Sequence, residues 1–408
     1  MKARTVVLWL HLITGTTAGA VIVVMAATGV LLTFAPQLVE WAERDLRTVP
    51  APAPGAARLD LDAIVAGARR ANPESRPTTV TVRAEPRSSV RVGFGRESAL
   101  YVDPYTGARL GSGSRLGNAL HVVEDWHRWL GSRELGKPFT GAANLAFLGM
   151  AFSGMFLWCP RSSGRGVLRA VAVPSFSLRG RARHFNWHNA IGIWCAPVLI
   201  VITLTGAVMS YQWANDLLYR LSGTVPPPPP GGGQDAMAQG GGRPRSQGAD
   251  ATASGAARRT NLASTMARAE QQVSGWVAIT MRLPQRPGAP IVAIIQEPPA
   301  WHPSPRSQLT LDASTAAVVS WEPFAAQNLG RRLRSWVRVV HTGEAAGLMG
   351  QAVAGLASIG GVFLVYTGVA LAWRRFRGWM GASAPVRVPR STSDNRQQVS
   401  GPTRASQP

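Results

Sequence analysis

The chain has 408 residues, 46% of them hydrophobic, yet its mean hydropathy is only +0.03, so apolar stretches must alternate with long polar ones. That balance points to a membrane protein with sizeable water-facing domains. The net charge of +22 gathers beside apolar stretches without any nucleic-acid-binding signature, so the expected partner is the lipid bilayer and not nucleic acid.

In chain order, residues 1–36 hold the first expected span. Lys2 and Arg4 precede an apolar run over 5–34 that is too long for a signal-peptide core, so it reads as a retained transmembrane helix. Trp9 and Trp41 flank it as interfacial aromatics, Pro36 ends it, and Gly15 and Gly19 form a close-packing pair. Residues 40–118 are polar. They contain a Pro/Ala linker at 51–55, an amphipathic helix at 59–71, and alternating runs at 78–83, 90–94 and 99–102. The last run enters the turn Asp103-Pro104-Tyr105-Thr106-Gly107, and one helix on a small antiparallel sheet is expected.

Residues 119–160 begin with an interfacial helix carrying Trp126 and Trp129 and continue into a second span over 141–158, closed by Cys159-Pro160-Arg161. The loop 161–184 has six arginines and no acidic residue, which marks it as cytoplasmic. A third span lies in 185–213, and a Pro/Gly-rich linker fills 224–257. Residues 258–335 repeat the helix-then-strands pattern, with a helix at 261–272 and runs at 277–282, 291–296 and 308–311 that enter Asp312-Ala313-Ser314-Thr315. Residues 336–377 contain the fourth span and end in Arg374-Arg375-Phe376-Arg377, and 382–408 read as a disordered cytoplasmic tail. The expected fold class is therefore membrane α-helical: four transmembrane helices in two parallel repeats, two small external α+β domains, and both termini cytoplasmic.

Four histidines follow the same repeat. His11 and His188 head the first and third spans, each with a glycine four residues on (Gly15, Gly192) and a Thr-Gly pair further along (Thr28-Gly29, Thr205-Gly206). His127 and His341 precede the second and fourth spans, each twenty-seven residues before a glycine (Gly154, Gly368). The topology puts His11 and His188 near the cytoplasmic face and His127 and His341 near the external face. Two imidazoles facing each other from different helices are what a bis-histidine haem needs, so two b-type haems are the expected cofactors. Gly15, Gly131 and Gly192 would let a porphyrin approach the backbone. Interface packing or another metal is the competing reading of the same residues. His184 and His188, four apart, could serve zinc with His11 as a third ligand, or His184 could back up a haem ligand. His121 is an alternative ligand to His127, and His302 reads as a loop residue. Cys159 and Cys195 have no metal or redox spacing and read as packing residues.

The segments Phe156-Leu157-Trp158-Cys159-Pro160-Arg161, Trp126-His127-Arg128-Trp129-Leu130-Gly131, Trp187-His188 with Gly192, and Val340-His341-Thr342-Gly343 with Gly347 resemble the PepSY-associated transmembrane family over about residues 1–380. The resemblance implies a four-helix bacterial inner-membrane protein with two periplasmic PepSY-like domains. Some members are dihaem ferric-siderophore reductases that pass electrons from the cytoplasm to a periplasmic ferric siderophore or other ferric chelate. It implies His11 and His188 as ligands of the cytoplasmic-side haem and His127 and His341 as ligands of the periplasmic-side haem. Cys159 replaces the family's second tryptophan there. No flavin-reductase domain follows the last span, so the electron donor would be a separate cytoplasmic or membrane molecule. A haem-free PepSY regulator or peptidase inhibitor is the alternative function, and a metal or siderophore transporter the third. The spans carry almost no ionisable residues to line a transport path.

Overall fold

The computed structural model describes residues 3–95, 98–159, 169, 171–226, 261–286, 288–298 and 305–382. Most of the expected Pro/Gly linker, the C-terminal tail, the first part of the basic loop and His302 lie outside them.

Among the described residues are eleven α-helices: α1 (Ala3–Leu32), α2 (Ala35–Ala42), α3 (Arg44–Arg47), α4 (Leu61–Ala71), α5 (Arg115–Trp129), α6 (Arg133–Trp158), α7 (Gly180–Ser210), α8 (Gln212–Leu221), α9 (Leu262–Gln272), α10 (Leu329–His341) and α11 (Gly347–Ala382). Four of them, α1, α6, α7 and α11, are long and apolar enough to cross a membrane. Their outward faces carry Leu10, Ile13, Leu204 and Leu356, all exposed, as a lipid-facing surface requires. Small residues sit between them: Gly19, Ala190, Ala196, Ala354 and Ala357 are buried, and a Cβ added at Gly360 would lie only 2.3 Å from Cys195 Sγ. In lipid, helix association depends on such close backbone approach. Cys195 is thus a packing residue, whereas Cys159 is exposed at the end of α6. Neighbour contacts run α1–α6, α6–α7, α7–α11 and α11–α1, so α1 and α7 face each other diagonally across the bundle.

The polar segments fold as strands β1 (Thr79–Arg83), β2 (Val90–Phe94), β3 (Ser98–Val102), β4 (Arg109–Ser112), β5 (Ala278–Arg282), β6 (Ile291–Gln296), β7 (Arg306–Leu311) and β8 (Val318–Glu322). The two strand sets expected as separate domains are joined. β1 pairs antiparallel with β5, giving one eight-stranded sheet in the order β4-β3-β2-β1-β5-β6-β7-β8. Alternate residues, Val80 and Val82, Val90 and Val92, Ile279 and Met281, Leu309 and Leu311, bury one face in a single core. Helices α4 and α9 cover that core with Leu61, Ile64 and Ala68 and with Leu262, Met266 and Ala269, a helical spacing. Asp62 ties the two helices, accepting from the backbone N–H of Leu262 (3.0 Å) and Ala263 (3.2 Å). The pairing removes two open edges in the middle of the sheet, each of which would otherwise leave unpaired backbone groups.

The two Asp-led turns are built alike. Asp103 Oδ1 accepts from the N–H of Tyr105 (2.8 Å), and Asp312 Oδ1 accepts from the N–H of Ser314 (2.9 Å). Both close through a left-handed residue, Gly107 at φ 73° and Ala316 at φ 56°. An added Cβ at Gly107 would meet Leu59 Cδ1 at 3.2 Å. Gly107→Ala is expected to destabilise the sheet by about 1 kcal/mol, the cost of a left-handed L-residue, read as a lower thermal midpoint of the full chain in detergent.

Candidate functional site

The four repeat-matched histidines meet as two pairs. His11 on α1 and His188 on α7, the diagonal helices, bring their ring centroids to 6.4 Å with the planes at 90°. His127 on α5 and His341, the last residue of α10, stand at 6.3 Å and 66°. The first pair lies at the bundle end away from the sheet, here the terminal-end pair, and the second is the sheet-side pair.

Each ring is held at Nδ1 by a hydroxyl of another helix. His11 Nδ1 lies 2.8 Å from Ser153 Oγ, His188 Nδ1 2.9 Å from Thr367 Oγ1, His127 Nδ1 3.0 Å from Thr28 Oγ1, and His341 Nδ1 3.1 Å from Thr205 Oγ1. Each hydroxyl already donates its only proton to a carbonyl of its own helix: Ser153 to Met150, Thr367 to Phe363, Thr28 to Val24 and Thr205 to Val201. With that proton so placed, each hydroxyl accepts from the imidazole, an assignment that puts the proton on Nδ1 in all four rings. The carbonyls of Met25 and Ile202, 2.9 Å from Nδ1 of His127 and His341, impose the same tautomer. Nε2 is left with a bare lone pair in every ring. Burial also favours the neutral form in the sheet-side pair. Loss of solvation pushes His127 below the ordinary imidazole range, and burial plus the neighbouring His127 ring pushes His341 down to about 4.

Two such rings fit one metal. An iron bonded to a nitrogen of each at about 2 Å, with each ring centre about 1.1 Å further on, separates the centres by about 6.2 Å, close to what both pairs show. Glycine clears space beside three of the rings. An added Cβ at Gly154 would lie 3.4 Å from His11 Cε1, at Gly368 3.4 Å from His188 Cε1, and at Gly29 3.5 Å from His127 Cε1. The donor set and these cradles fit a bis-histidine haem at each pair.

A family model described as the PepSY-associated TM region matches residues 8–375. The chain belongs to this family. No curated protein matches the sequence at a significant level. For this PepSY-associated transmembrane protein the match takes in all four membrane helices, the sheet and both histidine pairs.

The remaining sequence candidates fall elsewhere. An added Cβ would lie 2.9 Å from Met150 Cε at Gly15 and 3.5 Å from Leu364 Cδ2 at Gly192, and Gly131, at φ 81°, follows the end of α5 beside the Trp126 ring. His184 sits edge-on to Tyr366, 5.7 Å between centroids, with its Nδ1 buried and unpartnered. Among the described residues no three His, Cys, Asp or Glu side chains gather at one point. His121 is half-buried, with its Nδ1 3.8 Å from Glu124 on the same helix. Sequence reasoning missed Ser153 and Thr367 as partners of the histidines. It noted Thr28-Gly29, Thr205-Gly206, Gly154 and Gly368 only as spacing. A search for hydroxyl residues at the depth of the opposite histidine would have found them.

Proposed function

We propose that this family member is a dihaem electron-transfer protein of the bacterial cytoplasmic membrane, carrying electrons from the cytoplasmic side to a ferric chelate, of the siderophore class, at the sheet side. One observation carries the reading: four imidazoles, each held at Nδ1 by a hydroxyl, meet as two pairs with ring centroids 6.4 and 6.3 Å apart at the two ends of one bundle. His11 and His188 would hold one haem and His127 and His341 the other. When bound, each would supply a one-electron iron couple whose coordination positions are all filled, which suits transfer without bond-making at the iron.

The chain's own residues supply position and insulation. Ser153, Thr367, Thr28 and Thr205 hold the rings in one orientation and raise their basicity as ligands. Thr28, which holds His127, is seventeen residues beyond His11 on the same helix, about 25 Å by helical rise and comparable with a hydrocarbon layer of about 30 Å. The arginines of the 161–183 loop and of 374–377 favour the terminal end as the cytoplasmic one, with both termini there.

The test is the haem content of the full chain, purified in non-ionic detergent from haem-sufficient cells. Two b-type haems per chain with a low-spin reduced-minus-oxidised spectrum are expected; a haem-free protein would sink the reading. Ser153→Ala is expected to leave the fold intact and to weaken haem retention at the terminal-end pair by about tenfold, measured as transfer to excess apomyoglobin. Retention equal to wild type would show that the Ser153 contact is incidental.

A further inference from the structure

The sheet face opposite α4 and α9 is not apolar. By strand alternation it presents Thr81 and Arg83 from β1, Arg91 from β2 and Tyr101 from β3. With Arg47 of α3 and Ser89 these side chains line a small open cavity of about 40 Å³. Glu43, at the end of α2, holds two of the lining residues, Arg47 and Tyr101. It accepts from Arg47 Nη2 at 2.7 Å and from Tyr101 Oη at 2.7 Å, and from the N–H of Ser114, the N-cap of α5, at 3.1 Å. The cavity therefore lies on the side of the sheet that joins α5, the helix of His127.

Its charge is uncompensated. Arg47 is neutralised by Glu43, but Arg83 and Arg91 make no ion pair among the described residues. Three arginines from separate elements, α3, β1 and β2, line one concave space together with Thr81, Ser89 and Tyr101. A flat, mobile basic surface would not hold them so. Arginine forks match carboxylate geometry, and a partly enclosed site strengthens each charge-assisted hydrogen bond.

We propose that the Arg47–Arg83–Arg91 cavity binds the anionic, carboxylate-bearing part of the iron chelate, so that the substrates of this chain are negatively charged chelates. The choice of a metal chelate rests on the electron-transfer reading; the anion preference rests on the cavity alone.

The test uses gallium(III) citrate, a redox-inert carboxylate chelate, titrated calorimetrically into the full chain in non-ionic detergent, with haem content measured on the same sample. Saturable binding that weakens with salt is expected. Arg83→Gln with Arg91→Gln should weaken it by at least about tenfold, whereas Arg91→Lys should keep most of it. Arg69→Gln, which removes an exposed charge from the covering helix α4, should change nothing. A neutral gallium trihydroxamate should not compete. Thermal midpoints matching wild type certify that the variants are folded.

The proposal is overturned if the double variant binds gallium citrate like wild type, if Arg69→Gln loses as much affinity, or if the neutral chelate competes. It is equally overturned if phosphatidylglycerol in nanodiscs displaces gallium citrate and neutral lipid does not, since the occupant is then a lipid phosphate. Arginine-dependent binding to a haem-free protein would defeat the electron-transfer reading and leave the anion site standing. A two-haem protein that ignores gallium citrate would do the reverse.

Discussion

Replacing His188 by alanine is expected to halve the haem content, removing the terminal-end haem and sparing the sheet-side one. His11→Ala should do the same, and His127→Ala or His341→Ala should remove the other haem. The expectation follows from separate supports. His188 is held by Thr367 on α11 and faces His11 on α1, whereas His127 is held by Thr28 and Met25 and faces His341 on α10. The two pairs share no partner, and sites with no shared partner respond independently. A lone imidazole opposite a methyl group offers one ligand where two are needed, so the loss at the altered pair should be nearly complete. Retention of the other haem in its low-spin form is the internal control for folding. Loss of both haems from each single variant, or of neither, would falsify the pairing. His184→Ala and His121→Ala should each keep both haems, because neither ring faces a partner imidazole in the structure.

Much of this was legible in the residues because it depends on period and composition. The four spans, six of the eight strands and the grouping of His11 with His188 and of His127 with His341 follow from apolar runs, alternation and charge. β4 and β8 were not legible. They are the outermost strands, their residues are mostly exposed or half-buried, and so they lack the alternation that marks a strand with one buried face. The fusion of two expected domains into one sheet was hidden for another reason. The β1–β5 pairing joins Thr81 to Thr280, hydroxyl to hydroxyl at 3.0 Å, and nothing local in either strand names its partner across the chain. The hydroxyls that set the imidazole tautomer were hidden because a Ser or Thr bonded to its own helix is an unremarkable residue in any apolar span. Only the folded bundle shows which of them meets a histidine. Gly154 and Gly368 stood out as a repeat, but their place beside His11 and His188, on partner helices, needed the packing.

Glu43 links the sheet to the sheet-side pair, and Glu43→Gln is expected to cost about 2–3 kcal/mol and to loosen the sheet-side haem selectively. Its carboxylate is buried, with 7% of the side chain exposed, and gathers Arg47, Tyr101 and both the N–H and hydroxyl of Ser114. Removing its charge leaves Arg47 without its counter-charge and places an amide N–H₂ against groups that are themselves donors. The cost is set toward the low end for a broken pair because Arg47 keeps 26% of its side chain in solvent. Burial alone would raise the carboxyl's pKa, but the hydrogen bonds from Arg47, Tyr101 and Ser114 outweigh it and hold Glu43 below the usual carboxylate range. A carboxylate with a depressed folded-state pKa stabilises fully at pH above its ordinary value and loses that contribution as pH falls through the depressed one. The difference in thermal midpoint between wild type and Glu43→Gln should therefore be constant near neutrality and shrink in acid. Ser114 caps the helix that carries His127, so sheet-side haem should transfer faster to apomyoglobin in the variant while terminal-end haem transfers at the wild-type rate. A midpoint difference that persists in acid, or equal loosening at both pairs, would show that Glu43 acts on the fold at large and does not position α5.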